Sequence, residues 1–151
     1  MYDFIDKLEQ SIREVFDTMI FIAVEREKDL DSFPWPPDHQ CSAMIGLAGE
    51  DSGLIYFMCS AEFAQRITSS MLCMDVGEDW DSVIDAMGEV ANLIGGSLKN
   101  KVARFENHRL SLPSVVVGEN FEMHTPGATS GEILGFKSDN AHFLVRIVLK
   151  N

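Results

Sequence analysis

Residues 79–104 read Asp-Trp-Asp-Ser-Val-Ile-Asp-Ala-Met-Gly-Glu-Val-Ala-Asn-Leu-Ile-Gly-Gly-Ser-Leu-Lys-Asn-Lys-Val-Ala-Arg. At about 100° per residue, Trp80, Val83, Met87, Val90, Ala91, Ile94 and Leu98 gather on one side of a helix. Asp85, Glu89 and Asn92 fall on the other side, within about 60° of one another, and Gly96 lies on the same stripe. A helix from about Asp79 to about Arg104 is therefore predicted, burying one face and displaying a line of Asp, Glu, Asn and Gly on the other. A helix of this kind needs a second layer to cover its apolar side.

Working outward, the rest of the chain supplies that layer. An earlier helix is predicted from about Asp3 to about Glu25, where Ile5, Leu8, Ile12, Val15, Phe16, Met19 and Ala23 keep a helical period. Ser-Phe-Pro-Trp-Pro-Pro at 32–37 stops any helix, because proline forbids continuation. Trp35 within it is either a partner anchor or a cap on one edge of the core. Strands follow at about Ser42–Ala48 and Leu54–Cys59, joined by the turn-forming Gly49-Glu50-Asp51-Ser52-Gly53. Ser60 is a natural N-cap for a short helix from Ala61 to about Leu72. Beyond the second long helix, Val115–Val117 reads as a strand closed by Gly118, and Asn120 to Thr129 as a loop. A final hairpin is predicted from Glu132–Lys137 and His142–Leu149 around Ser138-Asp139-Asn140.

The two halves echo one another. Glu14–Met19 aligns with Glu89–Ile94 at an offset of 75, and Ile45-Gly46-Leu47 with Leu134-Gly135-Phe136 at an offset of 89. Each half becomes one long helix followed by a hairpin, about 1–75 and 76–151. The expected fold is thus a single α+β domain of two intertwined halves, pseudo-twofold, with two long helices packed on an antiparallel sheet.

The 151 residues, 46% apolar and 24% charged, suit one globular domain. A net charge of −12 argues against nucleic acid and anionic lipid as partners. The longest apolar runs, Met19–Val24 and Leu54–Cys59, are too short to span a bilayer, and the N-terminus has no basic flank before an apolar run. A cytoplasmic location is expected. Cys41, Cys59 and Cys73 form no CxxC pair and read as buried reduced thiols. His39, His108, His124 and His142 share no ligand spacing with them, so no protein-held metal is expected. The Gly-rich phosphate loop, the Gly-x-Ser-x-Gly elbow and HExxH do not occur.

The polar stripe carries the functional signal. Asn and Gly form helices poorly, so a surface chosen only for stability would place Ala, Lys or Gln there. Gly95-Gly96 costs about 1 kcal/mol per glycine relative to Ala. The pair either admits close approach to that backbone or lets the two long helices pack tightly.

The spacing Asp85-x3-Glu89-x2-Asn92, followed by Leu112-Pro113 and Val115-Val116-Val117-Gly118, resembles the signature of the CheC/CheX/FliY chemotaxis phosphatases. That signature is Asp or Ser, three residues, Glu, two residues, Asn, and a proline about two dozen residues on. Here 20 residues separate Asn92 from Pro113. The helix–hairpin duplication is similar to the same family, so the resemblance covers most of the chain. In the first helix Gln10, Glu14 and Asp17 take the matching places, with Asp where the family has Asn. One intact copy resembles CheX more than CheC.

The resemblance implies a phosphatase acting on the aspartyl phosphate of a CheY-like response regulator. The receiver supplies its own Mg²⁺, and this chain binds no cofactor. Phosphoryl transfer depends on positioning and electrostatics. Asn92 would hold the attacking water, since a neutral amide both donates and accepts and can approach a phosphoryl dianion. Asp17 would be repelled. Glu89 would dock the receiver through its active-site lysine, with Asp85 a secondary contact and Gly96 leaving room for a receiver loop. The alternative is a non-catalytic module of the same fold that docks on a receiver, a chemotaxis deamidase or a flagellar switch protein. The resemblance also implies a homodimer, for which the C-terminal hairpin offers an edge.

Overall fold

Alternation of apolar side chains builds the sheet. In β2 (His39–Ala48) Cys41, Ala43, Ile45 and Leu47 are buried, and in β3 (Gly53–Ser60) so are Ile55, Phe57 and Cys59. The two strands form a hairpin that sets Ile45 opposite Ile55, so these side chains share one face. β6 (Ser130–Ser138) and β7 (Ala141–Leu149) form a second hairpin, with Phe143, Val145, Ile147 and Leu149 buried on the same side. These features come from a computed structural model, which describes residues 4–31, 33, 39–50, 52–119 and 130–150.

Three short strands complete the antiparallel sheet: β1 (Glu25–Glu27), β4 (Arg109–Leu110) and β5 (Ser114–Glu119). The order is β1-β6-β7-β3-β2-β4, with β5 also on β2. The two hairpins meet at the centre through β3 and β7, where Phe57 faces Val145. β1 lies on the C-terminal hairpin and β5 on the N-terminal one.

Helices cover the apolar face. α1 (Ile5–Val15) buries Leu8, Ile12 and Val15, α2 (Ala61–Leu72) buries Phe63, Ala64 and Ile67, and α3 (Trp80–Lys101) buries Val83, Met87, Val90, Ile94 and Leu98. The α+β expectation of helices on an antiparallel sheet therefore holds. Ser60 caps α2 as expected, its Oγ accepting from Phe63 N at 3.0 Å. Asp79 caps α3, accepting from Ser82 N at 3.3 Å and Ser82 Oγ at 2.7 Å. Those bonds, the side-chain one foremost, hold its carboxyl below the usual carboxylate range.

The first helix is shorter than its periodicity implies. It runs into a π-helical turn at Phe16–Ile20, and Phe21 ends it in the left-handed region at φ 62°. The chain then turns to extended backbone because Glu25–Glu27 gains a strand partner in Lys137–Gly135. Arg26 of β1 reaches back to Glu9 of α1 at 2.5 Å, and Arg13 joins the same carboxylate at 3.1 Å. Burial works to raise Glu9, but hydrogen bonds from the two arginines outweigh it and leave the carboxyl below its usual range. α3 likewise stops at Lys101, short of Arg104, since Val102 is extended and Phe105 turns into the core.

Other expectations need adjustment. Trp80 is only partly buried, packed against the rim of the core. Cys41 and Cys59 are buried, but Cys73 is exposed, because it ends α2 at φ 56° and its side chain points away from the core. The C-terminal hairpin is mostly internal: β7 is paired on both sides and β6 carries β1. Trp35 and the loop Asn120–Thr129 lie outside the described residues. No helix among the described residues is long and apolar enough to cross a membrane.

The ring of Phe143 ties the layers together. Its centroid lies 4.9 Å from Phe57, 5.0 Å from Phe136, 5.1 Å from Phe16 and 5.6 Å from Phe63. Phe143→Ala is expected to lower stability by about 3–5 kcal/mol, measured as a shift in urea midpoint at constant slope.

Candidate functional site

α3 presents its polar stripe because its other side is fixed from below. A Cβ at Gly95 would lie 3.1 Å from Ile45 and 3.2 Å from Leu110, so Gly95 lets the helix settle onto the sheet. This resolves the Gly95-Gly96 pair: Gly95 is buried against the sheet, not against the first helix. Gly96 is different. A Cβ there would meet only Leu110 Cδ1, at 3.9 Å, and the residue is half-exposed on the stripe.

The sequence-predicted residues come together on that stripe. Asp85 and Glu89 are exposed, and Asn92 and Gly96 are half-exposed. Asn92 and Gly96 line an open groove of about 530 Å³ whose other side is Glu14, Thr18 and Met19. Neither the Asn92 amide nor the Glu89 carboxylate is hydrogen-bonded to a described residue. Both are available to an incoming group, one helical turn apart on a helix whose far side is locked. Among the described residues no three His, Cys, Asp or Glu side chains are placed to hold a metal ion.

Pro113 is brought to the same place. A Cβ at Gly88 would meet its ring at 3.3 Å, so the proline packs beside α3 one residue before Glu89. Its approach is fixed by Ser111. Ser111 N donates to Gly46 O at 2.9 Å, and Ser111 Oγ accepts from Gly46 N at 2.8 Å. The Ser111 hook was not visible in the sequence; a serine before Leu-Pro carries no signal of a partner 65 residues away.

The first-helix copy is built differently. Glu14 turns across the groove, accepting from Lys101 Nζ at 2.8 Å and Ser97 Oγ at 3.2 Å. Asp17 falls in the π-helical turn and is exposed. Glu14 is thus engaged inside the chain, whereas Glu89 has no partner among the described residues. The sequence showed Glu14 as the echo of Glu89, but nothing local marked Lys101 and Ser97 as its partners.

A family model described as "Chemotaxis phosphatase CheX" matches residues 41–137, more than half of the chain, and includes the whole stripe and Pro113. The chain belongs to the CheX family. Solved structures with the CheX fold include CheX from Vibrio vulnificus, at 22% identity over 99% of this chain and 97% of that one, with a TM-score of 0.83. A CheX-CheY-BeF3-Mg²⁺ complex from Borrelia burgdorferi is similar at 22% identity over the full length of both chains, TM-score 0.82. FliY from Thermotoga maritima is more distant, at 13% identity over 93% and 83% of the chains, TM-score 0.62. At these identities the likeness is one of fold. No curated protein matches the chain significantly.

Within this CheX-family chain the hydrogen bond from Lys101, foremost, holds the Glu14 carboxyl below its usual 4.5, and Ser97 adds to it. The folded-state pKa is depressed, so the pair favours the folded state above the unfolded pKa and loses that effect as pH falls through the folded one. In Lys101→Met the Glu14 carboxyl is expected to titrate closer to 4.5, read from its side-chain carbon resonance. An unchanged midpoint would show that the contact does not hold in solution.

Proposed function

We propose that this chain accelerates hydrolysis of the aspartyl phosphate of a CheY-like receiver domain in the cytoplasm. One observation carries the reading: a neutral amide, Asn92, half-exposed and free of described partners, stands one turn from an exposed Glu89 that also has no described partner, on a helix seated closely on the sheet. The family membership and the partner in the Borrelia burgdorferi complex support the same substrate class.

The chemistry asks little of this protein. An acyl phosphate is already activated, and the receiver's own Mg²⁺ neutralises charge on the phosphoryl group. What remains is to hold one water in line with the scissile P–O bond. The Asn92 carbonyl oxygen accepts from that water, and its NH₂ donates to a phosphoryl oxygen. Water oxygen bonds to phosphorus, the P–O bond to the aspartate breaks, and the receiver's carboxylate and inorganic phosphate leave. Glu89 pairs with the receiver's active-site lysine and so sets the height of Asn92. Asp85 is a further contact, and Gly96 leaves space where a side chain would obstruct the receiver.

The first helix does not repeat this chemistry. Glu14 is held by Lys101 and Ser97, and Asp17 would set a negative charge against the phosphoryl group. The same reading takes the chain as one domain of two helix–hairpin halves. It is supported by the outer strand of each half lying on the other half's hairpin. It also takes the protein as a homodimer. The outer side of β5, which has no described strand partner, is a better edge for pairing than the C-terminal hairpin.

The test is decay of radiolabelled receiver phosphate with and without the protein. Wild type is expected to accelerate decay, and Asn92→Ala to reduce that acceleration by about 100-fold with the fold intact by circular dichroism. Glu89→Gln is expected to raise KM chiefly. Receiver binding without any acceleration would leave a docking module and refute the enzyme.

A further inference from the structure

Two exposed apolar side chains, Leu112 and Phe21, lie close in sequence to residues that pack beside the Glu89–Asn92 stripe, and the core explains neither. Around α3, Gly88 lies about 40° to one side of Asn92 and Leu93 about 100° to the other. On the Gly88 side Pro113 packs against the helix, and the preceding Leu112 is 89% exposed. Its backbone is nonetheless fixed: Ser111 is bonded twice to Gly46, and its Oγ donates to Leu112 O at 3.0 Å. On the Leu93 side Met19 shares the groove with Asn92, and Phe21, two residues on, is 72% exposed.

Phe21 is the more telling of the two. It ends its helix at φ 62°, a position where glycine is the ordinary choice. An aromatic there accepts both an unfavourable backbone and exposure to water. Ser70 Oγ donates to Ile20 O at 2.5 Å and so joins α2 to the turn that precedes Phe21, and Leu72 and Met74 beyond Ser70 are themselves 48% and 62% exposed.

Resting on the function proposed above, we propose that Phe21 and Leu112 are the apolar anchors that hold the CheY-type receiver over Asn92. Leu112 adjoins Pro113, which packs on Gly88 of α3, and Phe21 lies two residues beyond Met19, which lines the groove with Asn92. Charge makes such anchors necessary. The chain carries −12, and Asp81, Asp85 and Glu89 are exposed along the docking helix. A receiver pocket that binds Mg²⁺ is lined with carboxylates, so long-range attraction between the two is absent and affinity comes from contact. Rigidly presented Leu and Phe give that contact at low entropic cost.

The experiment uses the full chain and the phosphodonor-charged receiver, with calorimetry on the Mg²⁺·BeF3⁻-loaded receiver alongside. Phe21→Ser and Leu112→Asp are each expected to raise KM about tenfold, to weaken calorimetric binding by the same factor, and to leave kcat within about twofold. Wild-type affinity is expected to change less than about threefold between roughly 50 and 500 mM salt. Unchanged KM and binding in both variants would overturn the proposal, as would loss of kcat at constant KM. Conversion of a dimer to monomers with receiver binding unchanged would assign the patch to a second copy and also overturn it. If wild type binds the loaded receiver and both variants weaken that binding, the anchors stand even where hydrolysis is not accelerated; that outcome refutes only the catalytic reading.

Discussion

Gly95 sits so close to β2 and β4 that one added methyl group would press on Ile45 and Leu110. That close seat, continued by Val83, Met87, Val90, Ile94 and Leu98 beneath the helix, removes the freedom of α3 to roll or slide. Asp85, Glu89, Asn92 and Gly96 consequently occupy fixed positions on the opposite side. The proposed catalysis works by positioning, which tolerates little error, since displacement by about 1 Å can cost two orders of magnitude. A helix clamped by packing meets that requirement better than a loop. Gly88 adds the second close approach and admits Pro113 to the edge of the stripe.

What the sequence showed and what it hid divide along the range of the interactions. The stripe was legible because a helical period is a local property, and Asn92 and Gly96 stood out as poor choices for a merely solvated surface. The hairpins were legible because alternation and turn residues are local too. The π-helical turn and β1 were not: Phe16–Val24 remains apolar enough to read as more helix, and the departure depends on a strand partner more than a hundred residues away. The roles of the two glycines also needed the fold. Sequence put Gly96 on the stripe but left open whether the pair serves close approach or helix packing, whereas Gly95 seats the helix on the sheet and Gly96 lines the groove.

The site itself divides in the same way. The clustering of Asp85, Glu89, Asn92 and Gly96 on one stripe was legible from helical spacing, and the family resemblance pointed to Pro113 despite its shortened interval. The reason that the first-helix copy differs could not. Glu14 looks equivalent to Glu89 until Lys101 and Ser97, 87 and 83 residues away, take up its carboxylate. The two helices thus differ in electrostatics more than in pattern: one carboxylate ties two helices together, and the other is exposed and has no partner among the described residues.

A crystal structure of this chain with its cognate CheY-type receiver, loaded with Mg²⁺ and BeF3⁻, probes this arrangement most directly. The Asn92 amide should lie within about 3 Å of the BeF3⁻ group or of a water in line with it, and Glu89 should contact the receiver's lysine. A complex in which the receiver contacts another surface, with the α3 stripe left in solvent, would contradict the proposed role of Asn92 in holding the attacking water.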